Sequence, residues 1–248
     1  MSAVLVDSDD KVLRITLNRP EKLNAITPDD IAALHDAVAD TRDLRAIVFS
    51  GSGGRAFNAG MHVDSFGAMN AETAETFISG VRDLMRAVRT CPAVTICAID
   101  GYCLGFGFEL SLACDLRIAT TRSSFGLPEI KVGVPSVIDA ALLQQYVGLS
   151  LAKEMILTGD IYPVDALRST GICNAVVEPD ELVVATDRMI RRVTGHTDVV
   201  VASQKRLLEI WQNTSLVDGI DLSVKEFAAV LADPETHAHL ARRTHSRR

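Results

Sequence analysis

The sequence predicts an α/β fold in which strand and helix units repeat as a spiral, and three observations carry that reading. An alternating hairpin opens the chain, strand-length apolar runs recur after turn signals, and residues at helical spacing follow those runs. At 248 residues the chain is short for two independent domains and ample for one buried core.

The hairpin comes first. Residues 3–6 are an apolar start and 7–10 supply turn residues. In Val12–Leu17 the apolar Leu13, Ile15 and Leu17 alternate with Arg14 and Thr16. Thr27 caps a helix with Pro28 at its first position, and Ile31, Leu34 and Val38 share one face. Residues 46–50 return as a strand, Gly51-Ser52-Gly53-Gly54 ends it, and 51–66 read as a loop. Phe77, Val81, Leu84, Met85 and Val88 mark a second amphipathic helix, which Cys91-Pro92 stops. The continuous apolar run 93–99 is a buried strand, Asp100-Gly101 a turn, 107–113 a helix and 116–119 a short strand.

From Ser136 the pattern is mostly helical. Ser150 caps a helix that Gly159 ends, residues 163–169 form a short helical turn, and 172–177 form a last strand. Segments 181–194, 198–212 and 216–231 are helical by period.

Composition narrows the function classes. With 48% hydrophobic and 23% charged residues the chain is neither disordered nor fibrous. Its 25 Lys+Arg against 32 Asp+Glu give a net charge of −7, which argues against nucleic acid as a partner. Arg242, Arg243, Arg247 and Arg248 alone cluster, as a solvated end or a contact to an anionic ligand or neighbouring subunit. Five cysteines without a C-x-x-C pair read as reduced core thiols. No secretory leader opens the chain, and the longest apolar stretch is far below the ~20 residues of a membrane helix. A cytoplasmic protein with no membrane segment is expected.

Phosphate-loop, H-E-x-x-H, dinucleotide and nucleophile-elbow patterns are all missing. His62 with Asp64, and His237 with His239, lack further ligands, so no metal centre is expected. Three segments remain: the glycine-containing loop 56–61, the strand-to-helix passage 100–110, and the loop 125–129. Free N–H groups at the helix start of the second would favour negative charge, and an N–H from the first would complete a two-donor clamp on a carbonyl oxygen. Glu109 and Glu129 could then face one small volume, where mutual repulsion leaves one protonated and the other ionised. The residues alone leave a second reading open, in which Glu109 is a helix-dipole partner and Glu129 a solvated loop residue.

In order and spacing these segments resemble the crotonase (enoyl-CoA hydratase/isomerase) superfamily. The similarity also takes in residues 17–26, Ala113-Cys114-Asp115 and Leu157-Thr158-Gly159-Asp160. It implies a ββα spiral core over residues 1–190 and a helical trimerisation region over 191–248, as a homotrimer or dimer of trimers. It further implies a 2-enoyl-CoA thioester substrate, with the N–H groups of Met61 and Phe106 as oxyanion donors. Lys22, Ala25, Ala59, Gly60, Met61, His62 and Val63 would hold the coenzyme A portion, which arrives with the substrate, so no separate cofactor is expected. Glu109 and Glu129 fill the two acid/base positions, twenty residues apart. In the expected division Glu109 is ionised and accepts the proton of the attacking water, while Glu129 exchanges a proton with the α-carbon. Hydration of the 2,3 double bond follows, with another reaction of the family such as isomerisation, or acyl-CoA binding without turnover, as the alternatives.

The chain departs from the family pattern at three places. Phe106 stands where glycine is usual, and a left-handed backbone there would cost about 1–2 kcal/mol. His62 replaces an aspartate, and Ser136-Val137-Ile138 replaces a glycine-rich turn.

Overall fold

The computed structural model describes residues 2–39, 41, 43–62, 64–67 and 69–245. Of the residues singled out above, Val63, Arg247 and Arg248 lie outside them.

Strands β1 (Val4–Asp9) and β2 (Val12–Leu17) form the opening hairpin. Pairing continues to Asp9 opposite Val12, so the turn is the two residues Asp10 and Lys11 rather than 7–10. Both have left-handed φ, 44° and 64°, the geometry that matches the twist of a two-residue hairpin. Helix α1 (Pro28–Ala39) follows. Thr27 is tied to it by donating: its N–H and Oγ1 both reach Oδ2 of Asp30, at 2.7 and 3.0 Å.

Then come β3 (Ala46–Gly51), β4 (Ala56–Asn58), α2 (Asp64–Gly67), α3 (Ala71–Thr90), β5 (Val94–Ile99), β6 (Tyr102–Leu104) and α4 (Phe106–Ala113). Next are β7 (Leu116–Thr120), β8 (Ser124–Gly126), 3-10 turns at Pro128–Val132 and Ile138–Leu142, α5 (Leu143–Val147) and α6 (Leu149–Thr158). Gly148, with φ 79°, turns the chain out of α5 and starts α6 before Ser150, which lies inside the helix and does not cap it. The chain continues through β9 (Tyr162–Pro163), α7 (Val164–Leu167), β10 (Ala175–Val177), α8 (Leu182–Thr194), α9 (Asp198–Asn213), α10 (Leu216–Ala232) and α11 (Pro234–His245).

Two sheets organise the spiral. The larger runs β1-β2-β3-β5-β7-β10 and is parallel except for the hairpin; the smaller runs β4-β6-β8-β9. Three successive turns, β3 to β4, β5 to β6 and β7 to β8, each give a strand to the larger sheet and then three residues to the smaller. Strand β5 is buried at every position because both faces are covered. Cys97 and Ile99 face the main core with α1, α3 and α4, whereas Val94, Ile96 and Ala98 face a second cluster with Ile190 of α8.

Helix α8 runs through the expected 190/191 boundary, held to the larger sheet by Ile190 and Val193. Beyond it, α10 leaves Leu216, Val217, Val224 and Phe227 exposed, Phe227 by 67%. Cys91, Cys97, Cys103 and Cys114 are buried, and all five thiols are free. Among the described residues no helix is long and apolar enough to cross a membrane.

Candidate active site

The spiral explains the twenty-residue spacing. Strands β6 and β8 are parallel neighbours with Leu104 opposite Gly126, so the segments leaving them start side by side. The first enters α4 and carries Glu109; the second enters the Pro128–Val132 turn and carries Glu129. At the hinge into α4, Gly105 takes φ 53° and ψ −123°, and Phe106 is the first helical residue. The strain expected at Phe106 is therefore absent, because Gly105 makes the left-handed turn one residue earlier. Arg117 on β7 fixes the other end of α4 by donating to the carbonyls of Ser111 and Cys114 at 2.8 and 2.7 Å. Those are orphan acceptors at a helix C-terminus, where positive charge is also favoured.

The first loop is held by the Leu23-Asn24 turn, both residues left-handed. Asn24 donates to the carbonyls of Ser52 and Ala56, and Ala59 donates to that of Leu23 at 3.0 Å. Ile26 donates to Gly60 and accepts from His62, a parallel bridge that leaves the N–H and C=O of Met61 outside the ladder. A Cβ on Gly105 would lie 3.4 Å from the α-carbon of Gly60, so Met61 and Phe106 leave adjacent points of backbone.

Met61, Phe106, Glu109 and Glu129 line one largely apolar cavity of about 240 Å³. Phe77, Ile78 and Val81 of α3 close one side, and Val134, Pro135 and Ile138 another. Of the other described residues assigned to coenzyme A, none lines this wall. Lys22 is exposed, Ala25 and Gly60 are buried, and Ala59 and His62 are half-buried, with His62 Nδ1 3.5 Å from Asp64. Phe106 is 4% exposed and belongs to the main core, so its ring is both cavity wall and packing.

Burial pushes the Glu109 carboxyl well above the usual carboxylate range, and the negative charges of Glu129 and Asp139 push it further. Main-chain hydrogen bonds at Val137 and Ala140 oppose this in part. Glu129 is also raised by burial, opposed by the Ser136 hydroxyl, which donates to its Oε2 at 2.7 Å. Both carboxyls are thus raised by burial, Glu109, 5% exposed, the more strongly. The expected division, with Glu109 ionised, runs against the direction of these shifts.

Ser136 and Asp139 escaped the sequence reading. The signal was present, since Ser136-Val137-Ile138 stood out as a departure, but nothing in the spacing showed that it folds back onto both glutamates. Ile138 has φ 51°, and a β-branched residue in that region stores roughly 1–3 kcal/mol of strain. Among the described residues no group of three or more His, Cys, Asp or Glu could hold a metal ion.

Comparison with known proteins places the chain in a family. The family model described as enoyl-CoA hydratase/isomerase matches residues 7–240. A crotonyl-CoA hydratase of Syntrophomonas wolfei is 26% identical over 233 residues, 92% of this chain and 90% of that protein. A probable enoyl-CoA hydratase, echA8, of Mycobacterium bovis is 36% identical over 186 residues, covering 72% and 70%. The solved enoyl-CoA hydratase of Mycobacterium smegmatis superposes with a TM-score of 0.93 at 28% identity, covering 100% of this chain and 98% of that one. With the family model matching most of its length and the fold superposing on that of a solved member, the chain belongs to the enoyl-CoA hydratase/isomerase family of the crotonase superfamily.

Proposed function

We propose that this chain hydrates the 2,3 double bond of a 2-enoyl-CoA thioester. One observation carries the reading: Glu109 and Glu129 share a single apolar cavity with Met61 and Phe106. The thioester oxygen accepts hydrogen bonds from the N–H groups of Met61 and Phe106, drawing charge onto it and making the β-carbon electrophilic. Loss of one such donor in comparable sites costs about 2.7–4 kcal/mol of barrier. Glu129, ionised, takes a proton from water as the water oxygen bonds to the β-carbon. Glu109, protonated, gives its proton to the α-carbon as the enolate collapses. After product release the proton that Glu129 took passes through solvent to Glu109, which restores the starting state of the pair.

Coenzyme A enters as part of the substrate, across the Lys22–Ala25 and Ala59–Val63 segments, and the apolar cavity takes the acyl end. The relatives named hydratases, one of them a crotonyl-CoA hydratase, support this class of substrate. Exposed apolar residues on α10 support self-association as a trimer or paired trimers, and five free cysteines support a reducing, cytoplasmic setting.

A panel of short, long and branched 2-enoyl-CoA thioesters tests the reading by loss of the conjugated chromophore and appearance of the 3-hydroxy product. A moved double bond without added water assigns isomerisation instead. Tight binding with no turnover on any member assigns a binding subunit.

A further inference from the structure

Arg89 on α3 and Asp139 on the Ile138–Leu142 turn form a partly buried ion pair that the chemistry above does not use, with both Asp139 oxygens on one guanidinium nitrogen. The Asp139 side chain is 7% exposed. A pair of this kind is weak evidence for stability, because desolvation offsets much of the attraction. Its position says more. Asp139 lies between Val137 and Ala140, whose main-chain N–H groups help to lower the raised Glu109 carboxyl, and next to left-handed Ile138, which with Val137 and Glu109 lines the cavity. An isoleucine keeps that conformation only where its surroundings fix it. Arg89 also approaches Glu209 of α9 at 3.6 Å, so the clamp is braced from a third element.

We propose that the Arg89–Asp139 pair is a positioning device for Glu109, clamping the Val137–Ala140 main chain so that it holds the carboxyl at the cavity wall. The proposal rests on the hydratase reading. The charged groups around Glu109 are Glu129 from the Pro128–Val132 turn and Asp139 from its own turn, with Arg89 of α3 and Glu209 of α9 behind Asp139. Asp139 thus also contributes negative charge that favours the proton on Glu109.

Asp139→Asn removes the clamp and that charge, and leaves Arg89 positive. It should lower kcat about tenfold to a hundredfold with KM little changed. It should also move the high-pH limb of the rate profile to lower pH, because Glu109 then ionises earlier. A fall in Tm with unchanged kcat and an unmoved profile would mean a merely structural pair and overturn the proposal. The Glu109 titration followed by carbon-13 NMR of labelled glutamate, assigned with Glu109→Gln, needs no turnover. Its midpoint should fall in Asp139→Asn, and an unmoved midpoint overturns the proposal even if the wild type hydrates nothing, a result that would count separately against the hydratase reading. Should Asp139→Asn fail to fold, Arg89→Lys keeps the charge but not the guanidinium geometry. It should lower kcat at unchanged KM, and a wild-type kcat overturns the proposal.

Discussion

Oε1 of Glu129 fills the space beside Gly105 that a side chain would take, so that a Cβ there would stand 2.8 Å from it. The residue that turns the backbone into α4 is thus also the floor beneath one candidate carboxylate. Gly105→Ala would meet that oxygen and a φ of 53° at once. We expect it to lose roughly 10²-fold in kcat through misplacement of Glu129 and of the Phe106 N–H. Steady-state kinetics beside circular dichroism checks this, and a folded variant of wild-type rate would contradict it.

Ser136 favours the charged form of Glu129 by donating to it at 2.7 Å. Ser136→Ala should raise the Glu129 carboxyl further and move the low-pH limb of the rate profile, where Glu129 must be ionised, to higher pH. A hydrogen bond to a charged group is worth about 1.5–3 kcal/mol, so kcat near that limb should drop about tenfold or more. The pH profile of kcat decides it.

Glu109 makes a pH-dependent contribution to stability. Its carboxyl is raised in the folded state, mainly by burial. The folded form therefore binds the proton more tightly than the unfolded chain does. That stability is complete below the unfolded carboxylate pKa and is lost as pH rises through the folded value. Glu109→Gln stays neutral throughout, so its Tm relative to wild type should climb as pH rises from the acid range towards neutrality. Parallel thermal melts across that range would show it, and a constant difference would contradict it.

Phe227 and Val224 stand exposed on α10. If this face joins copies of the chain, Phe227→Asp should shift sedimentation from the assembled species towards the monomer and leave far-ultraviolet circular dichroism intact. An unchanged sedimentation coefficient would place the contact elsewhere.

The sequence showed the spiral wherever an element was long enough to have a period. Strand β5 was legible because burial on both faces makes it continuously apolar, and α3 because Val81, Leu84, Met85 and Val88 repeat on one side. Strands β4, β6 and β8 have three residues each, too few for alternation to register, and were read as loop and turn. The pairing of Glu109 with Glu129 was visible as spacing, since one spiral turn separates them. The surroundings of the two carboxyls were not, because they include Ser136 and Asp139, which reach the site from a later turn. Phe106 was misjudged for a similar reason: the residue before it, Gly105, supplies the left-handed step.

The account stands on two carboxyls dividing one proton transfer each. Its most direct test is the hydration rate of one 2-enoyl-CoA that the wild type accepts, measured for Glu109→Gln and Glu129→Gln separately. Each variant should lose about 10²–10⁴-fold in kcat while still binding the thioester. Wild-type turnover by either one would contradict the paired mechanism.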